Sequence, residues 1–387
     1  MIDIRLFISH PKSQMRPVYK LFCLTPLLGR CYTSGAFSRR EGDINNMTNR
    51  EYFAANKYGM FSHFGLYSLL GGEWNGKIVN DYAEWIQAFF AIPNAQYHQL
   101  ANAFNPLLFN ADQWIKLAKD CGMKYFVITS KHHDGFALFH SKVDKFNVVD
   151  ATPYKKDIVA QFGEACYKHG LKFGLYYSQE LDWAHPHGGG YTNSEPCSGV
   201  SWDNSWDFTD KAAKNFDICF QEKIKPQVKE ILTNYGDIFL VWFDTPHTIS
   251  PKQSLELNHL VKELQPECLI NSRIGNGDYD YVSLGDNEIP PEAPPEGLTI
   301  KSGDMNSING YKYSPYDLYE TPATMNSSWG IKYSDADYIT AADIFERKRH
   351  LNGKGVNYLL NVGPDSLGRI PAMCVEALRG AAALEGK

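Results

Sequence analysis

The chain has 387 residues, 43% hydrophobic, 21% charged and with a formal net charge of −6, so it can bury a large core and has no reason to be disordered. No run of Lys or Arg offers a footprint for nucleic acid, and no apolar stretch reaches the ~18 residues of a membrane helix. The 8 cysteines are dispersed without a C-x-x-C pair, which argues against a structural zinc and for buried thiols.

Residues 1 to 44 read as an N-terminal extension of uncertain order, and residues 45 to 387 as one catalytic domain. Within the extension, Arg16 and Lys20 precede a short apolar patch, Leu21 to Leu28, interrupted by Thr25 and Pro26. Arg30 occupies the place where a lipoprotein cleavage site wants a small residue, so a leader is the lesser reading. The compartment stays open, with a slight lean to a periplasmic, secreted or lysosome-like one.

From about residue 51 short apolar runs alternate with amphipathic ones. The pattern predicts strands at Gly59–Tyr67, Tyr125–Ser130, Lys172–Ser178, Ile238–Asp244 and Cys268–Arg273, with later ones near Asp317–Thr321 and Asn357–Val362. Helices are predicted at Ala111–Cys121, Asp157–His169, Phe220–Asn234, Ser254–Leu264 and Ala341–Leu351. Repeated strand–helix alternation implies a parallel sheet, and some 330 residues without a linker favour an α/β fold closed into a (β/α) barrel of the TIM type over an open sheet. No G-x-G-x-x-G follows an early strand, so no dinucleotide cofactor is expected. The proline-rich stretch from Ile289 to Gly297 reads as an exposed loop.

Barrel enzymes gather their chemistry at the C-terminal ends of the strands. Here those ends carry Phe61-Ser62-His63, Lys131-His132-His133-Asp134, Tyr176-Tyr177-Ser178, Trp242-Phe243-Asp244 and Asn271-Ser272-Arg273. Such a ring of His, Trp, Tyr, Arg and carboxylate has no serine nucleophile elbow and no phosphate cradle. It suits a sugar, whose hydroxyls need directional partners and whose C–H faces need flat apolar ones.

Glycoside hydrolysis needs two carboxyl groups, one ionised and one protonated. Asp244, closing a nearly uncharged strand, is the candidate nucleophile. Glu180, Glu288, Glu292 and Glu296 compete for the second role, and Glu288 is chosen for its place nearest the structured end of its loop. Adjacent histidines on a strand point to opposite faces, so His132 and His133 are not expected to chelate one metal.

These segments resemble the α-L-fucosidases of glycoside hydrolase family 29. The resemblance rests on the run from Lys57 to Ser68, Glu73-Trp74, Phe104-Asn105-Pro106, the HHDGF segment from His132, Gly174 to Ser178, Val241 to Asp244, Ser328-Trp329-Gly330, and the LLNVGP segment from Leu359. It implies a retaining exo-α-L-fucosidase without cofactor or metal, acting on a fucosylated oligosaccharide or glycoconjugate. It places the nucleophile at Asp244 and an acid/base Glu some forty residues on, in keeping with Glu288. It maps the sugar pocket to His63, Glu73, Trp74, His132, His133, Tyr177, Trp242, Arg273 and Trp329, with Phe61 beside them to help wall in the 6-methyl group. The continuation of Asp244 into Thr245-Pro246 and the loop around Glu288 are similar to the branch acting on α-1,3 and α-1,4 linkages of Lewis-type glycans. A broad-specificity fucosidase or transfucosylase, or a catalytically silent sugar-binding barrel, are the alternatives. The C-terminal β-sandwich usual in that family has no counterpart in the 387 residues.

Overall fold

The computed structural model describes residues 47–188, 204–246, 249–277, 279–289, 299–300, 311–312 and 317–386. The extension expected at residues 1 to 44 lies outside them.

Eight strands form one parallel sheet: β1 (Tyr58–Ser62), β2 (Tyr125–Lys131), β3 (Lys172–Ser178), β4 (Leu240–Asp244), β5 (Leu269–Ile270), β6 (Val282–Ser283), β7 (Tyr319–Thr324) and β8 (Val356–Val362). Their spatial order is β5-β4-β3-β2-β1-β8-β7-β6. The two outer strands meet through one parallel bridge, Asn271 with Tyr281, and Asp280 and Tyr281 both donate their N–H to Ile270 O. That seam closes the circuit, so the fold is a (β/α) barrel, as the alternation predicted. Strand β6 escaped prediction because two residues carry no legible period.

The alternation of side chains along each strand divides the core in two. Phe61, Tyr125, Val127, Tyr176, Leu240, Trp242 and Leu359 point into the barrel, while Met60, Phe126, Ile128, Leu175, Tyr177, Val241, Phe243 and Leu360 belong to the layer under the helices. Helix α1 (Asn49–Ala55) closes the N-terminal mouth: Thr48 caps it in a capping box with Glu51, and its fully buried Phe53 packs on Tyr125, Phe239 and Tyr281. With that end plugged, the C-terminal mouth is where the strands can present polar groups.

The outer helices are α2 (Ala111–Asp120), α3 (Ile158–His169), α4 (Lys225–Thr233), α5 (Pro251–Leu264), α6 (Ala341–Gly353) and α7 (Ala372–Leu384). Local chemistry sets their ends. Asp157 caps α3 by accepting from Ala160 N–H, and Gly170 ends it with φ 74, a left-handed residue where a Cβ is unwelcome. Ser250 with Gln253 and Thr340 with Asp343 form capping boxes on α5 and α6. Strand β5 leads instead into the short turn Ser272–Ile274, which keeps Arg273 at the barrel mouth.

Candidate active site

One concave space at the C-terminal mouth is lined by Phe61, His63, Tyr82, Glu84, Trp85, His132, His133, Tyr176, Trp242, Asp244, Thr245, Arg273, Asp286 and Trp329. Asp244 is the last residue of β4. Its backbone is fixed by Asn271, whose side chain accepts from Phe243 N–H at 2.8 Å and donates to Phe243 O at 2.9 Å. Its carboxylate accepts from Tyr176 Oη at 2.8 Å and from Arg273 Nη1 at 3.1 Å, with His133 Nε2 at 3.9 Å. Desolvation raises its pKa above the ordinary carboxyl value, and Asp286 pushes the same way against Arg273 and Tyr176.

Arg273 organises the mouth. Its Nε donates to Ser283 Oγ at 3.2 Å and its Nη2 to Leu284 O at 3.2 Å, both at the end of β6, while Nη2 also meets Asp286 Oδ1 at 2.5 Å. Its guanidinium lies 4.4 Å from the Trp242 ring centroid. Trp242 in turn donates its Nε1–H to the buried carboxyl of Glu320 at 3.0 Å. Burial pushes Glu320 up to about 7.

The opposite wall is built from loops. His63 Nδ1 lies 2.8 Å from Asn361 Oδ1, and the Asn361 amide donates to Trp329 O at 2.7 Å, so one asparagine on β8 ties down two pocket residues. His133 Nδ1 lies 2.8 Å from Ser178 Oγ. Burial lowers His63 to about 4 and drives His132 well below its usual value, so both are neutral near pH 7 and can hydrogen-bond a neutral hydroxyl without carrying a charge. Glu84 accepts from Gly330 N–H at 2.8 Å and Ser328 Oγ at 3.1 Å, while its other oxygen is buried without a partner among the described residues. Burial raises it to about 7.

Four expectations change. Tyr177 faces outward and donates to Gln227 at 2.8 Å; its neighbour Tyr176 has the inward parity and reaches Asp244. Glu73 and Trp74 sit in a small hairpin with Lys77–Ile78, Glu73 exposed, and line no part of the pocket. The same Glu-Trp pair recurs at Glu84-Trp85, buried in a short turn, and that copy lines it. Glu288 is absent from the lining; its carboxylate accepts from Gly285 N–H at 2.8 Å, and the carboxyl groups that join Asp244 in the pocket are those of Glu84 and Asp286. Glu292 and Glu296 lie outside the described residues, and Glu180 is buried and accepts from Ile249 N–H at 3.2 Å. Finally, His132 and His133 both line the pocket, their rings 3.9 Å apart. Strand parity does not govern them, because β2 ends at Lys131.

The comparisons with known proteins converge. The alpha-L-fucosidase family model matches residues 31–383. The chain is 55% identical to the alpha-L-fucosidase AlfC from Lactobacillus casei in complex with α-L-fucose, with a TM-score of 0.81 over 87% of this chain and 98% of that one. AlfC has also been solved with Fucα(1,6)GlcNAc, at 54% identity and a TM-score of 0.79. The alpha-L-fucosidase of Vibrio sp. strain EJY3 is 34% identical, with a TM-score of 0.75, over 87% of this chain and 54% of that one. Human plasma alpha-L-fucosidase is 27% identical over 344 residues, which is 85% of this chain and 66% of that protein, and a putative alpha-L-fucosidase of Caenorhabditis elegans is 28% identical over 87% of this chain and 65% of its own length. The chain thus spans just under two thirds of the length of these curated relatives.

Proposed function

Because this chain belongs to the α-L-fucosidase family, we propose that it is a retaining exo-acting α-L-fucosidase whose barrel, residues 45 to 387, removes a terminal fucose through a covalent fucosyl-enzyme ester. The observation that carries the reading is the pair Asp244 and Asp286 on one guanidinium. Asp244 attacks the anomeric carbon as the glycosidic bond breaks, and Asp286 gives its proton to the departing oxygen. Asp286 then takes a proton from water, the water oxygen bonds to the anomeric carbon, and the Asp244 ester is released as carboxylate. Two inversions leave the configuration retained.

Neutral His63 and His132, with His133, Glu84 and Arg273, read the ring hydroxyls. Phe61, Trp85, Trp242 and Trp329 present the apolar surface for the sugar face and its methyl group. One methyl contributes only ~1–3 kcal/mol of discrimination, so the hydroxyl partners carry most of the selectivity.

The linkage we propose is α-1,6 to N-acetylglucosamine. Its support is AlfC, more than half identical over nearly its whole chain and solved with Fucα(1,6)GlcNAc. This takes precedence over the α-1,3/1,4 reading drawn from the loop sequences alone. The test is to incubate the protein with Fucα(1,6)GlcNAc, with an α-1,3/1,4-fucosylated trisaccharide and with an aryl fucoside, and to follow the first product by proton NMR. α-Fucose appearing first, fastest from the 1,6 disaccharide, supports the whole reading. Preference for the trisaccharide restores the Lewis-type assignment, β-fucose first refutes the ester mechanism, and no release from any substrate leaves a sugar-binding barrel.

A further inference from the structure

The segment Gly285-Asp286-Asn287-Glu288 is a tight turn, closed by Glu288 N–H donating to Gly285 O at 3.0 Å. Its third residue, Asn287, has φ 60, the left-handed value that a type II turn requires at that place and that asparagine tolerates better than most residues. A second bond closes the same turn from the side chain: Gly285 N–H donates to Glu288 Oε2 at 2.8 Å. The turn is then fastened to strand β7. Asn287 N–H donates to Pro322 O at 2.9 Å, Asn287 Oδ1 accepts from Thr324 N–H and Oγ1 at 2.8 and 3.1 Å, and Thr321 Oγ1 donates to Glu288 O at 2.9 Å. Asp286 is the residue at the tip, and its side chain is the one that leaves the turn for Arg273.

We propose that Glu288 is a positioning residue: its carboxylate clasps the turn that holds Asp286 at the reacting bond, and it transfers no proton itself. The bonds to β7 hold Asn287 and Glu288, whereas the Glu288 carboxylate reaches Gly285 N–H on the other side of Asp286. A charge-assisted bond from carboxylate to backbone N–H is about twice as strong as a neutral one. Losing it frees Gly285 and lets Asp286 swing relative to Arg273, and misplacement of a catalytic group by about 1 Å can cost on the order of a hundredfold in rate. The proposal rests on the fucosidase reading above, with Asp286 as acid/base.

The experiment compares Glu288→Gln, Glu288→Ala and Asp286→Asn on two substrates, Fucα(1,6)GlcNAc, whose leaving group needs a proton, and an aryl fucoside, whose leaving group does not. Glutamine keeps an oxygen that can accept from Gly285 N–H, so Glu288→Gln should stay within about threefold of wild type on both. Glu288→Ala should lose about ten- to a hundredfold in kcat/KM on the disaccharide and clearly less on the aryl fucoside, because the defect is in proton delivery. Asp286→Asn should lose more than either, with the same substrate bias. A clasp with a merely structural role would depress both substrates equally. If Glu288→Ala does not accumulate as folded protein, Glu288→Asp, whose shorter arm falls short of Gly285, carries the same comparison, with melting temperature as the check on folding. The proposal is overturned if Glu288→Gln is as impaired as Glu288→Ala, if Glu288→Ala loses nothing or loses equally on both substrates, or if Asp286→Asn retains wild-type rates. Wild-type protein that releases no fucose refutes the functional reading itself, which is a separate result.

Discussion

Asp244 and Asp286 are held by the two ends of one guanidinium, Nη1 of Arg273 meeting Asp244 Oδ1 at 3.1 Å and Nη2 meeting Asp286 Oδ1 at 2.5 Å. The planar fork fixes both carboxyl groups relative to each other, which a lysine could not do. The two come from different strand ends, β4 and the loop after β6, and Arg273 stands between them at the end of β5. The seam that closes the barrel therefore also assembles the pair.

Replacing Arg273 by Lys should lower kcat/KM by about ten- to a hundredfold, the cost of one or two charge-assisted bonds. The pH profile gives a sharper signature. Arg273 opposes the upward shift of Asp244, so weakening that contact raises the pH at which Asp244 ionises. The acid limb of the kcat/KM profile should move to higher pH in the variant, and an unmoved limb would show that Asp244 does not depend on Arg273 for its ionisation.

The share of stability that Glu84 and Glu320 contribute should fall as pH rises from about 4.5 to about 7, opposing His63 and His132, whose lowered values make stability rise with pH in the same range. Burial lifts Glu84 and Glu320 from 4.5 to about 7. Between those values the folded state holds protons that the unfolded chain releases, so for these two groups each pH increment favours unfolding. The effect is at most about 3 kcal/mol for each group. Glu320→Gln cannot titrate and keeps an acceptor for Trp242, so between pH 5 and pH 7.5 its melting temperature should fall less, or rise more, than that of wild type. Equal pH dependence in both proteins would place the titration elsewhere.

The strand ends were legible in the sequence because β1 to β4 are apolar runs that stop abruptly at polar residues, Ser62-His63, Lys131-His132, Ser178 and Asp244. What stayed hidden was orientation. Tyr176 and Tyr177 are chemically identical, and only the register of β3 against β4, where Tyr176 pairs with Trp242 and Tyr177 with Phe243, says which faces the pocket. Asp286 was hidden for another reason. It stands at the tip of a turn whose sequence mark is Gly285-Asp286-Asn287, and the expectation of a glutamate pointed to Glu288 instead.

The tyrosine pair gives a direct test of that register. Tyr176→Phe removes a hydrogen bond to Asp244 and should reduce kcat/KM about tenfold. Tyr177→Phe leaves the pocket untouched and removes a buried bond to Gln227. It should cost about 1 kcal/mol of stability and leave kcat/KM within about twofold. The reverse ranking by steady-state kinetics and denaturant unfolding would put the wrong tyrosine in the barrel.

The two Glu-Trp pairs separate in the same way, with a larger expected difference. Glu84 is buried, pinned by Gly330 N–H and Ser328 Oγ, and has an oxygen that no donor among the described residues satisfies, an arrangement that is costly unless a ligand donor meets it. Glu73 is exposed on its hairpin. Glu84→Ala should raise KM for an aryl fucoside by about ten- to a hundredfold, since a contact between a buried carboxyl and a sugar hydroxyl contributes roughly 1.5–3 kcal/mol. Glu73→Ala should change KM by less than about twofold, as surface substitutions usually do. The discriminating measurement is fucose inhibition of both variants, because fucose lacks the aglycone. Loss of fucose affinity in Glu84→Ala alone assigns this carboxyl to the sugar itself, whereas loss confined to larger substrates would move Glu84 to the leaving-group side of the pocket.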